Sequence, residues 1–247
     1  MAKKERADHI LYEQGLSDTL EQATRLIMAG HAHFLKNGQK TPVEKPGMQL
    51  DPSLEIVVKG KDRFVSRGGY KLLTAIEELG LNPAGKIAMD AGASTGGFTD
   101  CMLQFGAIKI YAADVGYGQL HWKLQQDERV INLERVNLRL AEPDLIPEKV
   151  DLVVCDVSFI SLKKILPSLV RFLKDTGEIV CLIKPQFEVA QGQTDKGIVR
   201  DENLRKQTVD MIVDFASSEL QLTLKGFVPS SIKGPKGNQE YLAYFIR

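Results

Sequence analysis

Three charged residues stand where predicted strands begin or end, and a fourth stands near the start of a helix. Asp156 closes the strand in "CDVSF", Lys184 closes the strand in "LIKPQFE", Glu240 opens the last strand in "GNQEYLAY", and Lys71 lies at the start of a helix ahead of them all. Each alone reads as a surface charge or half of a salt bridge. Charged side chains gathered at a sheet edge beside a crevice are hard to explain as core. Two lysines and two acids can activate a hydroxyl, which is a poor nucleophile until it loses its proton. A lysine at its ordinary pKa of about 10.4 is protonated at neutral pH. Desolvation and a second cation nearby lower that value, and carboxylates oppose the shift. Lys184 is then the candidate base, and Lys71 the group that stabilises a developing alkoxide. Asp156 and Glu240 would hold the lysines and orient the hydroxyl.

The electrophile is suggested by "DAGASTGGFTD", residues 90–100. The stretch follows a strand and opens a helix, so it lies at the carboxyl edge of the sheet, where such folds bind ligands. Its spacing fits neither common phosphate loop. Gly92 is followed by Ala93 and Ser94, so the second glycine of a dinucleotide loop is missing. Gly97 is followed by Phe98, so the lysine of a Walker loop is missing too. Asp90 would also repel a phosphate. The alternative is a tight strand-to-helix turn with no ligand. Asp114 follows Asp90 by 24 positions (114 − 90), near the offset at which acids bond ribose hydroxyls. An acid at each place suits a ligand with an ammonium group at one end and a ribose in the middle. S-adenosylmethionine fits. The expected cofactor residues are Asp90, Gly92, Ala93, Ser94, Gly96, Gly97 and Phe98, then Asp114 and Val115, then Asn137 and Leu138 beside the adenine, and Asp156. A sulfonium already makes its methyl carbon electrophilic, so no metal is required, and in-line placement supplies much of the acceleration.

These residues need a frame. From Val65 onward strand-like and helix-like runs alternate. "YKLLTAIEELGL" has Leu72, Leu73, Ile76 and Leu79 at helical spacing. "KIAMDAG", "IKIYAADV", "VINLER", "VDLVVCDV" and "GEIVCLIKP" read as strands, and residues 201–219 as a long helix. Alternation predicts an α/β fold, a mainly parallel sheet covered on both faces. "LTLKGFVPS" and "EYLAYFI" adjoin without a helix, which predicts an antiparallel final strand. The expectation is a Rossmann-like S-adenosylmethionine-dependent methyltransferase sheet over residues 65–247, behind a small α+β unit at residues 1–60. "KGKDRF" (59–64) is the linker.

In the small unit, "SDTLEQATRLIMAG" offers Ser17 as an N-cap and Gly30 as a stop. Gly15 reads as an earlier helix stop, and Asn37-Gly38 as a hairpin turn. Under 60 residues make a marginal core. Residues 6–50 resemble the alpha-L RNA-binding module, through Arg6, Asp8, the Ser17–Gly30 helix, Asn37-Gly38 and Lys45-Pro46-Gly47. The resemblance implies an RNA-facing surface drawn from Lys3, Lys4, Arg6, Arg25, Lys36 and Lys40, to which Arg67 adds in the larger domain. Without it, these are solvated charges.

Lys71, Asp156, Lys184 and Glu240 resemble, in order and context, the K-D-K-E tetrad of FtsJ-type RNA 2'-O-methyltransferases. "VSRGGYKL", "MDAGASTGGFTD", "ADVGYGQLHW", "DVSFISL", "IKPQFE" and "GNQEY" are together similar to the TlyA family, over nearly the whole chain. That resemblance implies methylation of cytidine 2'-hydroxyls in ribosomal RNA, with ribosomal RNA or ribosomal subunits as partners. The family's subgroup that modifies both subunits carries a C-terminal extension. A last residue at Arg247 therefore implies the large subunit as the favoured target.

Composition bounds the rivals. The chain has 247 residues, formal net charge zero, three widely spaced cysteines and four histidines. The cysteines suit a reducing compartment and fit no zinc spacing. No metal is expected. No signal peptide or membrane-spanning run is visible, which implies a cytoplasmic protein and argues against a membrane-active hemolysin. Base amino-methylation needs two prolines after the acid or amide of the fourth strand, where Asp156-Val157-Ser158-Phe159 has none. A scaffold with a dead methyltransferase fold is opposed by the intact tetrad.

Overall fold

A computed structural model describes residues 4–14, 16–17, 19–36, 39–54, 56–58 and 63–247, without the side chains of Lys36 and Pro235. Lys3, Gly15, the Asn37-Gly38 turn and linker residues 59–62 lie outside the described residues, as does the Lys36 side chain. Contacts divide the chain into units 1–63 and 64–247.

The smaller unit contains β1 (Glu5–Arg6), α1 (Ala7–Glu13), α2 (Leu20–Met28), β2 (Ala32–Lys36), β3 (Gln39–Pro42), β4 (Gln49–Leu50) and β5 (Ile56–Val58). Strands β3, β2 and β5 form an antiparallel sheet, and β1 pairs with β4. Ile10, Leu11, Ala23, Ile27, Phe34 and Val43 make its core. The cap of α2 differs from expectation. Thr19, not Ser17, accepts the Gln22 amide at 3.1 Å. Ser17 is instead buried, without a hydrogen-bond partner for its hydroxyl among the described residues. Gly30 does stop the helix, at φ 70°.

The larger unit opens with α3 (Gly68–Leu79). It continues through β6 (Ile87–Ala91), α4 (Gly97–Gln104), β7 (Lys109–Ala113), α5 (Trp122–Gln125), β8 (Val130–Leu133) and β9 (Val150–Cys155). Then come α6 (Leu162–Val170), β10 (Leu173–Ile183), α7 (Pro185–Glu188), α8 (Glu202–Leu220), β11 (Thr223–Pro229) and β12 (Tyr241–Ile246). The seven-stranded sheet runs β11-β12-β10-β9-β6-β7-β8. Neighbours from β10 to β8 are parallel, whereas β12 is antiparallel to both β10 and β11. This is a Rossmann-like α/β sheet with the expected antiparallel strand.

Alternation along each strand divides the core. Met89, Ala91, Tyr111, Val153, Cys155, Ile179 and Cys181 face one layer, with Ile165, Leu166, Val209 and Ile212 of α6 and α8. Their neighbours Ala88, Ile110, Leu152, Val154, Val180 and Leu182 face the other, with Leu72, Ala75, Phe98, Cys101 and Met102 of α3 and α4. Successive strand side chains point to opposite faces, so both sides are buried and the strands read as near-continuous apolar runs. The three cysteines are buried, and none forms a disulfide.

Candidate active site

The parallel strands β6, β7, β9 and β10 bring their carboxyl ends to one edge. There the backbone turns at Gly92 with φ 89°. A Cβ on Gly92 would stand 2.8 Å from the Asp156 carbonyl oxygen, so only glycine allows the loops after β6 and β9 to meet. Asp114, one residue beyond β7, accepts the Ser94 amide at 2.8 Å on Oδ2 and the Gly116 amide at 2.7 Å on Oδ1. Two adjoining cavities result. One of about 490 Å³ is lined by Gly92, Ser94, Asp114, Val115, Asn137 and Leu138, among others. The other, about 420 Å³, is lined by Ser66, Arg67, Lys71, Lys184, Lys233 and Gly234, among others. Gly92, Ser94, Asp156 and Ser158 belong to both walls. Both volumes suit ligand pockets.

Four charges alternate in sign in one chain, of which Lys184, Asp156 and Lys71 line the second cavity and Glu240 is not on its wall. Lys71 Nζ lies 2.6 Å from Glu240 Oε2 and 3.8 Å from Asp156 Oδ2. Lys184 Nζ lies 2.5 Å from Asp156 Oδ1. That last contact has charge and proximity but lacks hydrogen-bond alignment, since Asp156 Oδ1 has no hydrogen-bond partner among the described residues. The aligned N–H of Lys184 goes to Ser158 Oγ at 2.8 Å. Glu240 is fully buried, and its other oxygen accepts Gln186 Nε2 at 3.0 Å. Buried charges persist when each is paired, and removing one partner is strongly destabilising. Gly234 passes over Glu240 so closely that any Cβ there would collide with the carboxylate.

The structure thus brings Lys71, Asp156, Lys184 and Glu240 together. It places Ala93, Gly97 and Phe98 on the wall of the second cavity. Asp90 and Gly96 are not on either wall. Gly96 packs against Leu120 and Leu124. Asp90 is fully buried, with Thr99 Oγ1 donating to its Oδ2 at 2.6 Å and Oδ1 without a hydrogen-bond partner among the described residues. Burial pushes its carboxyl up to about 7, Thr99 opposes, and the Asp156 charge adds to the rise.

Sequence reasoning missed several neighbours. Ser158 and Gln186 carry no pattern beyond lying two residues after Asp156 and Lys184. Lys233 and Gly234 lie in a stretch legible only as a turn. Phe159 is 90% exposed with φ 63°, an uncommon conformation for a bulky residue, and its ring lies 5.1 Å from that of Phe187. Glu188 accepts Ser161 Oγ at 2.5 Å and the Leu162 amide at 2.7 Å, and burial raises its carboxyl above the ordinary range.

Of the expected RNA-facing residues, Lys4, Arg6, Arg25 and Lys40 are exposed. Arg6 also forks onto the buried Asp8, at 3.0 and 2.6 Å. Arg67 lies on the second cavity wall and bonds the Lys233 carbonyl at 3.2 Å. Among the described residues, no cluster of three His, Cys, Asp or Glu is placed to hold a metal ion. Among them, too, no helix is long and apolar enough to cross a membrane.

Comparison with known proteins gives concordant matches. The FtsJ-like methyltransferase family model matches residues 64–247. A Mycobacterium tuberculosis protein named 16S/23S rRNA (cytidine-2'-O)-methyltransferase TlyA is 42% identical, over 99% of this chain and 90% of its own length. A Bacillus subtilis protein, YqxC, named as a candidate rRNA methyltransferase, is 45% identical over 98% of this chain and 86% of its own. A solved structure described as a candidate hemolysin from Streptococcus thermophilus superposes with a TM-score of 0.73 at 44% identity. It covers 100% of this chain and 90% of that one.

Proposed function

Because the chain belongs to the FtsJ-like methyltransferase family, we propose that it methylates the 2'-hydroxyl of a cytidine in ribosomal RNA, using S-adenosylmethionine. The observation that carries the reading is the connected network Lys184–Asp156–Lys71–Glu240 beside the larger cavity, which Asp114 lines.

The larger cavity fits the cofactor. Asp114 faces it with a carboxylate already oriented by two amides, leaving lone pairs for ribose hydroxyls. Asn137 and Leu138 offer a wall for the adenine. The buried Asp90, with one oxygen that has no partner among the described residues, would give a bound ammonium group a counter-charge, and the ammonium would in turn favour the ionised carboxylate. S-adenosylmethionine bound there supplies an electrophilic methyl group. The protein's task is then to generate the nucleophile. The amine of Lys184 takes the proton of the 2'-hydroxyl. Asp156 neutralises the ammonium that forms. Lys71, held by Glu240, faces the oxygen as negative charge develops. The lysines would also attract the flanking phosphates, and exposed Lys4, Arg25 and Lys40 would hold RNA by the same term. The ribosomal substrate places the enzyme in the cytoplasm.

The test is transfer of labelled methyl from S-adenosylmethionine to unmodified ribosomal subunits, with mapping by resistance to alkaline cleavage. The reading expects label on a cytidine ribose of ribosomal RNA. Label on a base would refute it.

A further inference from the structure

We infer that Ser158 is a positioning residue for Lys184, and that its hydroxyl sets the direction in which the amine presents its lone pair. The inference rests on the ribose-methylation reading above. Charge fixes where the ammonium group sits, because Asp156 lies 2.5 Å away. Charge does not fix its rotation, since that contact is not aligned as a hydrogen bond. The aligned bond runs from Lys184 Nζ to Ser158 Oγ at 2.8 Å. A neutral amine has three bonds and one lone pair, arranged tetrahedrally. Cε occupies one direction, the Ser158 bond a second, and Asp156 attracts the remaining N–H. The lone pair is left with a single direction, at the wall of the second cavity, beside Asp156 and Ser158, which line both cavities. Without Ser158 the amine rotates about its Cε–Nζ bond and the lone pair sweeps a cone.

A hydroxyl on a loop positions nothing unless the loop is held. Glu188 holds it. Its two oxygens take Ser161 Oγ and the Leu162 amide, closing the end of the 156–161 loop onto α7. Helix α7 begins directly after Lys184, so one short segment anchors both ends of the Lys184–Ser158 bond. Gln186 of the same segment ties in Glu240 at 3.0 Å. The contact between the Phe159 and Phe187 rings adds a third tie, 5.1 Å between centroids.

The test uses the full chain, unmodified ribosomal subunits and S-adenosylmethionine, under single-turnover conditions at saturation. Wild type, S158A, S158T, K184A and the S158A/K184A double variant are compared, and cofactor affinity is measured by calorimetry on the same preparations. S158A is expected to lose about 100-fold in rate, the scale of a misplaced reacting group. Its cofactor affinity should stay within about threefold of wild type, so that the loss lies in the turnover step. S158T, which keeps the hydroxyl, should recover most of the rate. The double variant should be no slower than K184A, because Ser158 acts through Lys184. A wild-type rate in S158A, additive losses in the double variant, or an equal loss of cofactor affinity would each overturn the inference while wild-type ribose methylation stands. Wild-type label on a base would overturn the underlying reading and this inference with it, and the mapped position distinguishes the two failures.

Discussion

Asp90 sits where a charge is costly. Its carboxyl is raised from 3.8 to about 7 mainly by burial, so the folded protein holds a proton that the unfolded chain has lost across that interval. Stability follows the difference in bound protons, and here the native state binds more. Stability therefore falls as pH rises from about 4 to about 7. Thermal unfolding of cofactor-free protein should show a melting temperature that declines over this range from Asp90, and Asp90→Asn should flatten the decline. A bound ammonium group would favour ionised Asp90, so cofactor affinity should rise over the same interval in wild type and not in the variant. Parallel pH profiles for the two proteins would contradict the account. At this scale the sequence showed charge well and neutrality poorly. Asp156, Lys184 and Glu240 were legible because a charge at a strand end demands a reason, and Lys71 because it stands in the matching sequence context near the start of α3. Ser158 and Gln186 were not, because a loop serine or glutamine demands none. Nor could spacing show that Asp90 lies beneath the cavity rather than on its wall, since depth depends on what packs above it.

The loop after β6 is the element on which both cavities depend. Gly92 combines φ 89° with backbone contact to the Asp156 carbonyl. Gly92→Ala adds backbone strain of about 1–3 kcal/mol and a collision between two loops. Calorimetry should show cofactor affinity reduced at least about tenfold, while the far-ultraviolet dichroism of the sheet is retained. Unchanged affinity would mean that the loop does not shape the site. The sheet itself was legible, since fully buried parallel strands alternate with amphipathic helices in a pattern few folds share. The placement of β12 between β10 and β11 was only half legible. Adjacency of two strands implied antiparallel pairing, but insertion is a tertiary choice. The two-residue ladder of β1 and β4 was invisible, because its residues are exposed or alternate over too short a run. The Thr19 cap was misread as Ser17, two plausible oxygens standing two residues apart.

Over the whole molecule, zero net charge hides any local basic face, and only the module resemblance pointed to RNA at the amino-terminal end. If exposed Arg25 and Lys40 contact phosphates, replacing either with Ala should weaken RNA binding uniformly across sequences and reduce the salt slope by about one. Titrations at several salt concentrations would show this, and an unchanged slope would remove both residues from the interface. The central claim is that one lysine at the end of β10 makes the nucleophile. The most direct measurement is the single-turnover rate of methyl transfer to unmodified large ribosomal subunits by wild type and Lys184→Ala, with cofactor affinity measured alongside. The account predicts a loss of about 10²–10⁴-fold in rate, the range for a general base, with cofactor affinity nearly unchanged. A variant that still methylates the ribose at the wild-type rate would contradict it.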